Sequence, residues 1–310
     1  MALNYAEVWS PDLLEIMEQE SLTSPFVTTA VKWLSAKTFH FTQMSTSGYK
    51  SHSRLGGWNK GTVEQTDVPF TLTHDRDIQF MIDKIDVDET NETASIKNIS
   101  EVFHKTQQIP EMDAYFYSKV ATEAQKLEGY HSSTALSSYT KENVYGKLKA
   151  MLSAGKLRRY VAKGALIAYV NSTIMDLLEQ STDFTRKIEM TQIAEGGIGI
   201  ETRITDIDGV TLIEVIDDER FYDKFDFTDG FTPVASTSHK INVLIASPLT
   251  VKTVPKIASI YYFNPGQHTE GDGYLYQDRS LSDTFVFPNG KDNKIDSIYV
   301  DVDTETYSAA

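Results

Sequence analysis

Residues Asp75 to Glu92 read DRDIQFMIDKIDVDETNE, and seven of these eighteen are acids. Carboxylates at this density can ligate a hard cation, share a proton in acid–base catalysis, or form the wet face of a strand. Spacing tests the first reading. A calcium loop of the EF-hand type needs oxygen donors at positions 1, 3 and 5, Gly at 6 and Glu at 12. Counted from Asp86, position 6 is Asn91 and position 12 is Lys97, so the loop fails where its turn is tightest. The strand reading fits better. Ile78, Phe80 and Ile82 alternate with Gln79, Met81 and Asp83, the period of a half-buried strand. Ile85 and Val87 resume the apolar set after a slip of one, which predicts a bulge. A structural or interface ion site, or a carboxylate pair using Asp83 or Asp86, stays open beside it.

Other chemistry is tested the same way. The histidines are His40, His52, His74, His104, His131, His239 and His268. None lies three to five residues from another, so no HExxH or HxxxH pair exists. No GxSxG elbow is present. In GGWNKGT, Lys60 precedes Gly61, and Gly155-Lys156 is followed by Leu157, so neither matches GxxxxGK[ST]. The glycines of AEGGIGI precede a strand rather than a helix. Asp217, Asp218, Glu219 and Arg220 read as a charged turn. Lys50 or Lys60 could form an isopeptide bond with a neighbouring chain, but that needs a desolvated, placed amine, and an exposed lysine is the simpler reading. The expectation is no enzyme, no cofactor and no metal.

The chain has 310 residues, 40% hydrophobic and 24% charged, with a net charge of −15. This is globular composition with room for one large or two ordinary domains. The negative charge argues against broad binding to nucleic acid or acidic membrane. There are no cysteines, which excludes disulfides, zinc-thiolate sites and thiol nucleophiles. No signal peptide is visible, and the apolar run ALIAYV is too short to span a bilayer. An intracellular or assembled soluble protein is expected.

These groups need elements to place them. Residues 1–30 read as an arm with a short helix around Leu13, capped by Ser10 before Pro11. Trp9, Phe26, Val27 and Trp33 must be covered, by the chain's own body or by a neighbour. FHFTQM and VPFTLT flank the polar stretch TSGYKSHSRLGGWNKGTVEQTD, which predicts a long two-stranded ribbon with a loose tip. Residues 93–129 read as helical, with a long amphipathic helix from Pro110 to about Lys126. A second helix begins near Lys141. ALIAYV is a buried strand, and NSTIMDLLEQS a helix capped by Asn171 or Ser172. Asp208-Gly209 turns a hairpin. INVLIASPLTV, KIASIYYFNP and DTFVFPNGKDNKIDSIYVDV supply later strands, with Asn289-Gly290 as a further turn. Without βαβ regularity the class is α+β.

The order of these parts, with DRDIQFMIDKIDVDETN, IPEMDAYFYSKVA and ITDIDGVTLIEV, resembles the major capsid proteins of tailed bacteriophages, the Hong Kong 97-type fold. IPEMDAYFYSKVA resembles the start of that family's long spine helix, and VPKIASIYYFNPGQHTEGDGYLYQDRSLSDTFVF its closing segment. The resemblance implies an N-terminal arm (1–35), an extended loop (36–74), a peripheral domain (75–144 and 251–310) and an axial domain (145–250). It implies self-assembly into hexamers and pentamers of an icosahedral shell in the virion, put together in the host cytoplasm. A separate scaffolding protein, a portal and enclosed double-stranded DNA bound without sequence specificity are implied too, and no membrane. On this view Trp9, Phe26, Arg54, Trp58, Lys60, Asp75, Asp86 and Asp88 are candidates for the subunit interface, the ribbon's cations pairing with acids of a neighbour. Another virion part, such as a tail protein, and an enzyme with a spatially assembled carboxylate site are the rival readings.

Overall fold

The computed structural model describes residues 19–29, 37–52, 56, 58–89, 96–162, 164–181, 188–191, 202–289 and 294–308. The helix expected around Leu13 lies outside them, as do Trp9, Trp33, Arg54 and Gly290.

The acid-rich stretch divides at Asp83. Residues His74–Asp83 form β3, with alternate residues half-buried and exposed, as the period predicts. The expected bulge is absent: Lys84–Glu89 is a helix, α1. The Asp83 carboxylate accepts a hydrogen bond from the Ile85 N–H at 2.9 Å. It thereby satisfies a free donor of the first helical turn, and that local bond overrides the alternation.

Before β3, Thr38–Thr46 (β1) and Val63–Thr71 (β2) pair antiparallel over nine positions, a ribbon roughly 30 Å long. After it come α2 (Ile96–Phe103), a π-helical turn (His104–Gln108) and α3 (Ile109–Gln125) without a break. The long helix thus begins well before Pro110, and the π turn is a local widening within it. Asp113, Phe116, Tyr117, Val120, Ala121 and Ala124 are its buried side.

The largest sheet has seven strands in the order β4-β14-β11-β5-β8-β7-β6. These are His131–Ser133 (β4), Ile167–Asn171 (β5), Ile188–Thr191 (β6), Thr202–Ile207 (β7), Val210–Val215 (β8), His239–Ala246 (β11) and Ile298–Thr306 (β14). Two short strands, Phe225–Asp226 (β9) and Thr232–Pro233 (β10), pair separately. Asp208 and Gly209 have φ of 52° and 80°, so β7 and β8 join through the left-handed turn that matches strand twist. Asn171 caps α6 (Ser172–Gln180) by accepting from the Thr173 N–H at 3.0 Å.

Neighbouring residues of β5 point to opposite faces. Tyr169 joins a core with Phe26, Phe116, Tyr117 and Phe221. Ala168 and Val170 join another with Leu148 of α4 (Val144–Leu152), Tyr160 of α5 (Arg158–Val161) and Ile174 of α6. The sheet is therefore sandwiched between α3 on one face and α4–α6 on the other, and each face has its own core. Asp301, fully buried on β14, accepts from the Thr134 hydroxyl (2.7 Å), the Tyr139 hydroxyl (2.6 Å) and Asn242 Nδ2 (2.8 Å). These bonds hold the 131–139 segment against the sheet.

A second sheet, three-stranded and antiparallel, has the order β12-β13-β3, with β12 at Val251–Phe263 and β13 at Gly273–Val286. The hairpin β12–β13 is longer than its apolar runs indicated, because polar residues Gln277 to Ser280 continue the pairing. No helix among the described residues is long and apolar enough to cross a membrane.

Candidate subunit-interface surfaces

A ribbon with no core of its own has to be held at one end. At its root Phe39 and Leu72 are buried with Phe285 and Phe287 in a small core. Phe39 and Phe285 rings meet edge to face at 5.2 Å, and Phe70 meets Phe287 at 4.9 Å. Such pairs add about 1 kcal/mol each beyond their buried area. The link between β2 and β3 is pinned by Asp283, which accepts from the Thr73 N–H and hydroxyl at 2.9 Å each and from the Tyr115 hydroxyl at 2.8 Å. Lys119 lies 3.7 Å away. One residue on, His74 stacks on Tyr115 at 3.9 Å and lies 3.6 Å from Glu111. Arg76 pairs with Glu111 at 2.6 Å. Burial, followed by the field of Arg76, lowers the His74 pKa to about 4, and burial raises that of Glu111.

The far end is different. Ser47 and Thr62 exchange two hydrogen bonds of 2.9 Å, Lys50 Nζ donates to the Lys60 carbonyl, and Asn59 Nδ2 donates to that of Ser51. The backbone is cross-tied, yet Tyr49 and Trp58 stand in solvent, Trp58 at 97% exposure. Met44 and Val63 are exposed below them. Large rings on a free ribbon mark a surface that meets a partner.

The candidate acids separate by position. Asp75 is paired within the chain, with Lys37 at 2.9 Å and Arg279 at 3.1 Å. Hydrogen bonds from Arg279 and then Lys37 hold its carboxyl at about 2. It is thus engaged within its own chain. Asp86 is exposed on α1; the Asp88 side chain lies outside the described residues. Asp83, one of the carboxylates considered for catalysis, is a helix cap. No group of three or more His, Asp or Glu among the described residues could hold a metal ion.

Phe26 has another place than the free surface expected for an interface residue. It is fully buried, 4.7 Å from the Phe116 ring, so the chain's own body covers it. Val27 remains 43% exposed. The charged turn at Asp217–Arg220 is open to solvent at Glu219 and closed at Arg220. Arg220 is 2% exposed and donates to Asp113 at 3.2 Å, to Asp217 at 2.6 Å and to the Gln19 carbonyl at 2.9 Å. Asp113 also accepts from the Ser21 and Thr23 hydroxyls and the Leu22 N–H. A buried ion pair therefore fastens the segment 19–23 onto α3. Its partners are about a hundred residues or more apart in sequence, and no local pattern signals it.

The same architecture occurs in solved phage structures. The chain matches one of Mycobacterium phage Che8 with a TM-score of 0.57 and 13% identity, covering 97% of this chain and 98% of that one. It matches the asymmetric unit of the bacteriophage PhiM1 mature capsid with a TM-score of 0.64 and 12% identity, over 97% and 92%. For the capsid structure of the cyanophage P-SCSP1u the values are 0.60 and 11%, over 98% and 94%. No family model and no curated protein matches the sequence. The fold is thus the α+β fold of phage capsid chains, as the resemblance implied.

Proposed function

We propose that this chain is the major capsid protein of a tailed bacteriophage, and that copies of it assemble as hexamers and pentamers into the icosahedral shell of the virion. The observation that carries this is the end-to-end agreement of its fold with the PhiM1 mature capsid. Shared folds host many activities, so the exposed ribbon supports the reading independently: nine paired positions of each of two strands are spent on an arm without a core of its own.

In this reading the ribbon of one subunit lies on another. Trp58 and Lys60 at its tip, with Arg54, meet a neighbour's acids, among them Asp86 and Asp88. The peripheral and axial division is part of the proposal, with one adjustment. β4 and β14 both belong to the seven-stranded sheet with β11, so His131–Ser133 and Ile298–Thr306 are both grouped with the axial strands. A separate scaffolding protein, a portal, enclosed double-stranded DNA and assembly in the host cytoplasm belong to the same proposal. Catalysis has no part in it.

The test is negative-stain imaging of the purified chain, alone and with a scaffolding candidate from a neighbouring gene. Rings or shells are expected. A small monodisperse species under both conditions overturns the reading and returns weight to a tail component.

A further inference from the structure

The charge of this acidic chain is unevenly placed. Residues 141–163 hold seven Lys and Arg against one acid, and residues 217–229 hold six acids against two cations. The first segment is the α4–α5 layer. Its apolar side, with Leu148, Leu157 and Tyr160, is buried in the core on one face of the seven-stranded sheet, while Lys141, Lys156, Arg158 and Arg159 are exposed. The second segment leaves β8 and is tied to the opposite face. Phe221 enters the core beneath α3, and Gln125 of α3 donates to Asp223 at 2.8 Å. Glu219, Asp226 and Asp229 are exposed there. One sheet thus separates a basic layer from an acidic one.

We propose that these two layers are the complementary halves of a head-to-tail contact, the α4–α5 layer of one copy meeting the Asp217–Asp229 layer of the next. This rests on the shell reading and specifies which surfaces meet within it. Opposite patches on opposite sides of one subunit make a heterologous interface, and repeated rotation closes such an interface into a ring. The occupant of the basic layer is a second copy because the matching surface is on this chain. A nucleic acid reaching the layer would also meet the field of a molecule with net charge −15. Some of the charge is already used internally: Lys149 pairs with Asp208 at 3.3 Å and Arg159 with Asp296 at 3.4 Å. Lys141 and Arg158 on one side, and Glu219 and Asp229 on the other, are the groups to test.

Two variants do so. The first carries Lys141→Glu and Arg158→Glu, which leaves five cations against three acids in residues 141–163. The second carries Glu219→Lys and Asp229→Lys, which turns its acidic layer toward basic. Each is expected to self-associate about tenfold more weakly than the unmodified chain in sedimentation at about 0.1 M salt, where exposed charges still act over a Debye length of ~10 Å. An equimolar mixture is expected to recover association, because opposite layers again face each other, and to lose it at about 1 M salt, where that length is ~3 Å. Circular dichroism and thermal melting establish that both fold; if one does not, Arg158→Gln and Glu219→Gln carry the same comparison with a smaller loss. Undiminished association of either variant, or a mixture no better than its components, overturns the pairing. If the latter holds and only the first variant has lost retention of a double-stranded DNA oligonucleotide, the basic layer belongs to nucleic acid. Shells formed by the unmodified chain and by each variant alone sink the pairing and leave the shell reading standing. Recovery in the mixture without shells from the unmodified chain does the reverse.

Discussion

Arg220 and Asp113 face each other at 3.2 Å, both buried beneath the segment that begins at Gln19. Removing one partner of such a pair strands a charge in the interior. Arg220→Met is expected to lower unfolding free energy by about 3–5 kcal/mol, read from urea denaturation. It is also expected to make residues 19–28 the first site of proteolysis, since Gln19 then loses a donor to its carbonyl. A loss under about 1 kcal/mol, the scale of an exposed pair, contradicts the anchor.

The two ends of the ribbon predict opposite phenotypes. Phe39→Ala removes a ring from the root core and is expected to cost about 3–5 kcal/mol of stability. Trp58→Ala removes a ring from solvent and is expected to change stability by no more than about 0.5 kcal/mol, while reducing the yield of assembled particles. Equal effects on stability contradict the division into root and tip.

His74 makes a pH prediction. Its folded pKa is about 4, below the ordinary 6.5. Above 6.5 the imidazole is neutral in both states and contributes no pH dependence. Between 6.5 and about 4 the unfolded chain takes up the proton and the folded chain does not, so this residue lowers stability as pH falls, by up to about 3 kcal/mol. Glu111 and Asp113, raised by burial, act in the opposite sense, because the folded state then binds their protons more readily. The direct check is the imidazole titration followed by nuclear magnetic resonance. A midpoint near 4 is expected, and one near 6.5 contradicts the buried stack on Tyr115.

The acids of the opening stretch divide by their partners. Asp86→Asn with Asp88→Asn is expected to weaken assembly and leave the thermal melting of the monomer unchanged. Asp75→Asn is expected to alter the monomer slightly, by the 0–1 kcal/mol typical of an exposed pair, since Lys37 and Arg279 of the same chain hold it. Unfolding of the Asp86 and Asp88 variant contradicts an interface role.

What was legible in the sequence was local. The alternation at Ile78, Phe80 and Ile82 marked β3, Asn171 marked a helix start, and Asp208-Gly209 marked a turn, each because one residue's chemistry decides one backbone geometry. Ile85 and Val87 misled because apolar spacing alone does not reveal that Asp83 caps a helix. The ribbon was visible as two apolar runs around a polar middle. Its root was not, since Asp283 lies 210 residues from Thr73. Arg220 read only as part of a charged turn, and its burial was hidden for the same reason: its acceptors Gln19 and Asp113 are distant in the chain. Of the candidate interface residues, Trp58 stands in solvent, whereas Phe26 is buried and Asp75 is paired with Arg279, 204 residues away.

The central claim is that copies of this chain build a closed shell. Static light scattering of the purified chain, with and without a candidate scaffolding protein, measures the mass of what it forms. The account predicts species with the mass of hexamers or pentamers alone and of closed particles with the partner. A mass of one chain, 34.9 kDa, under both conditions contradicts it.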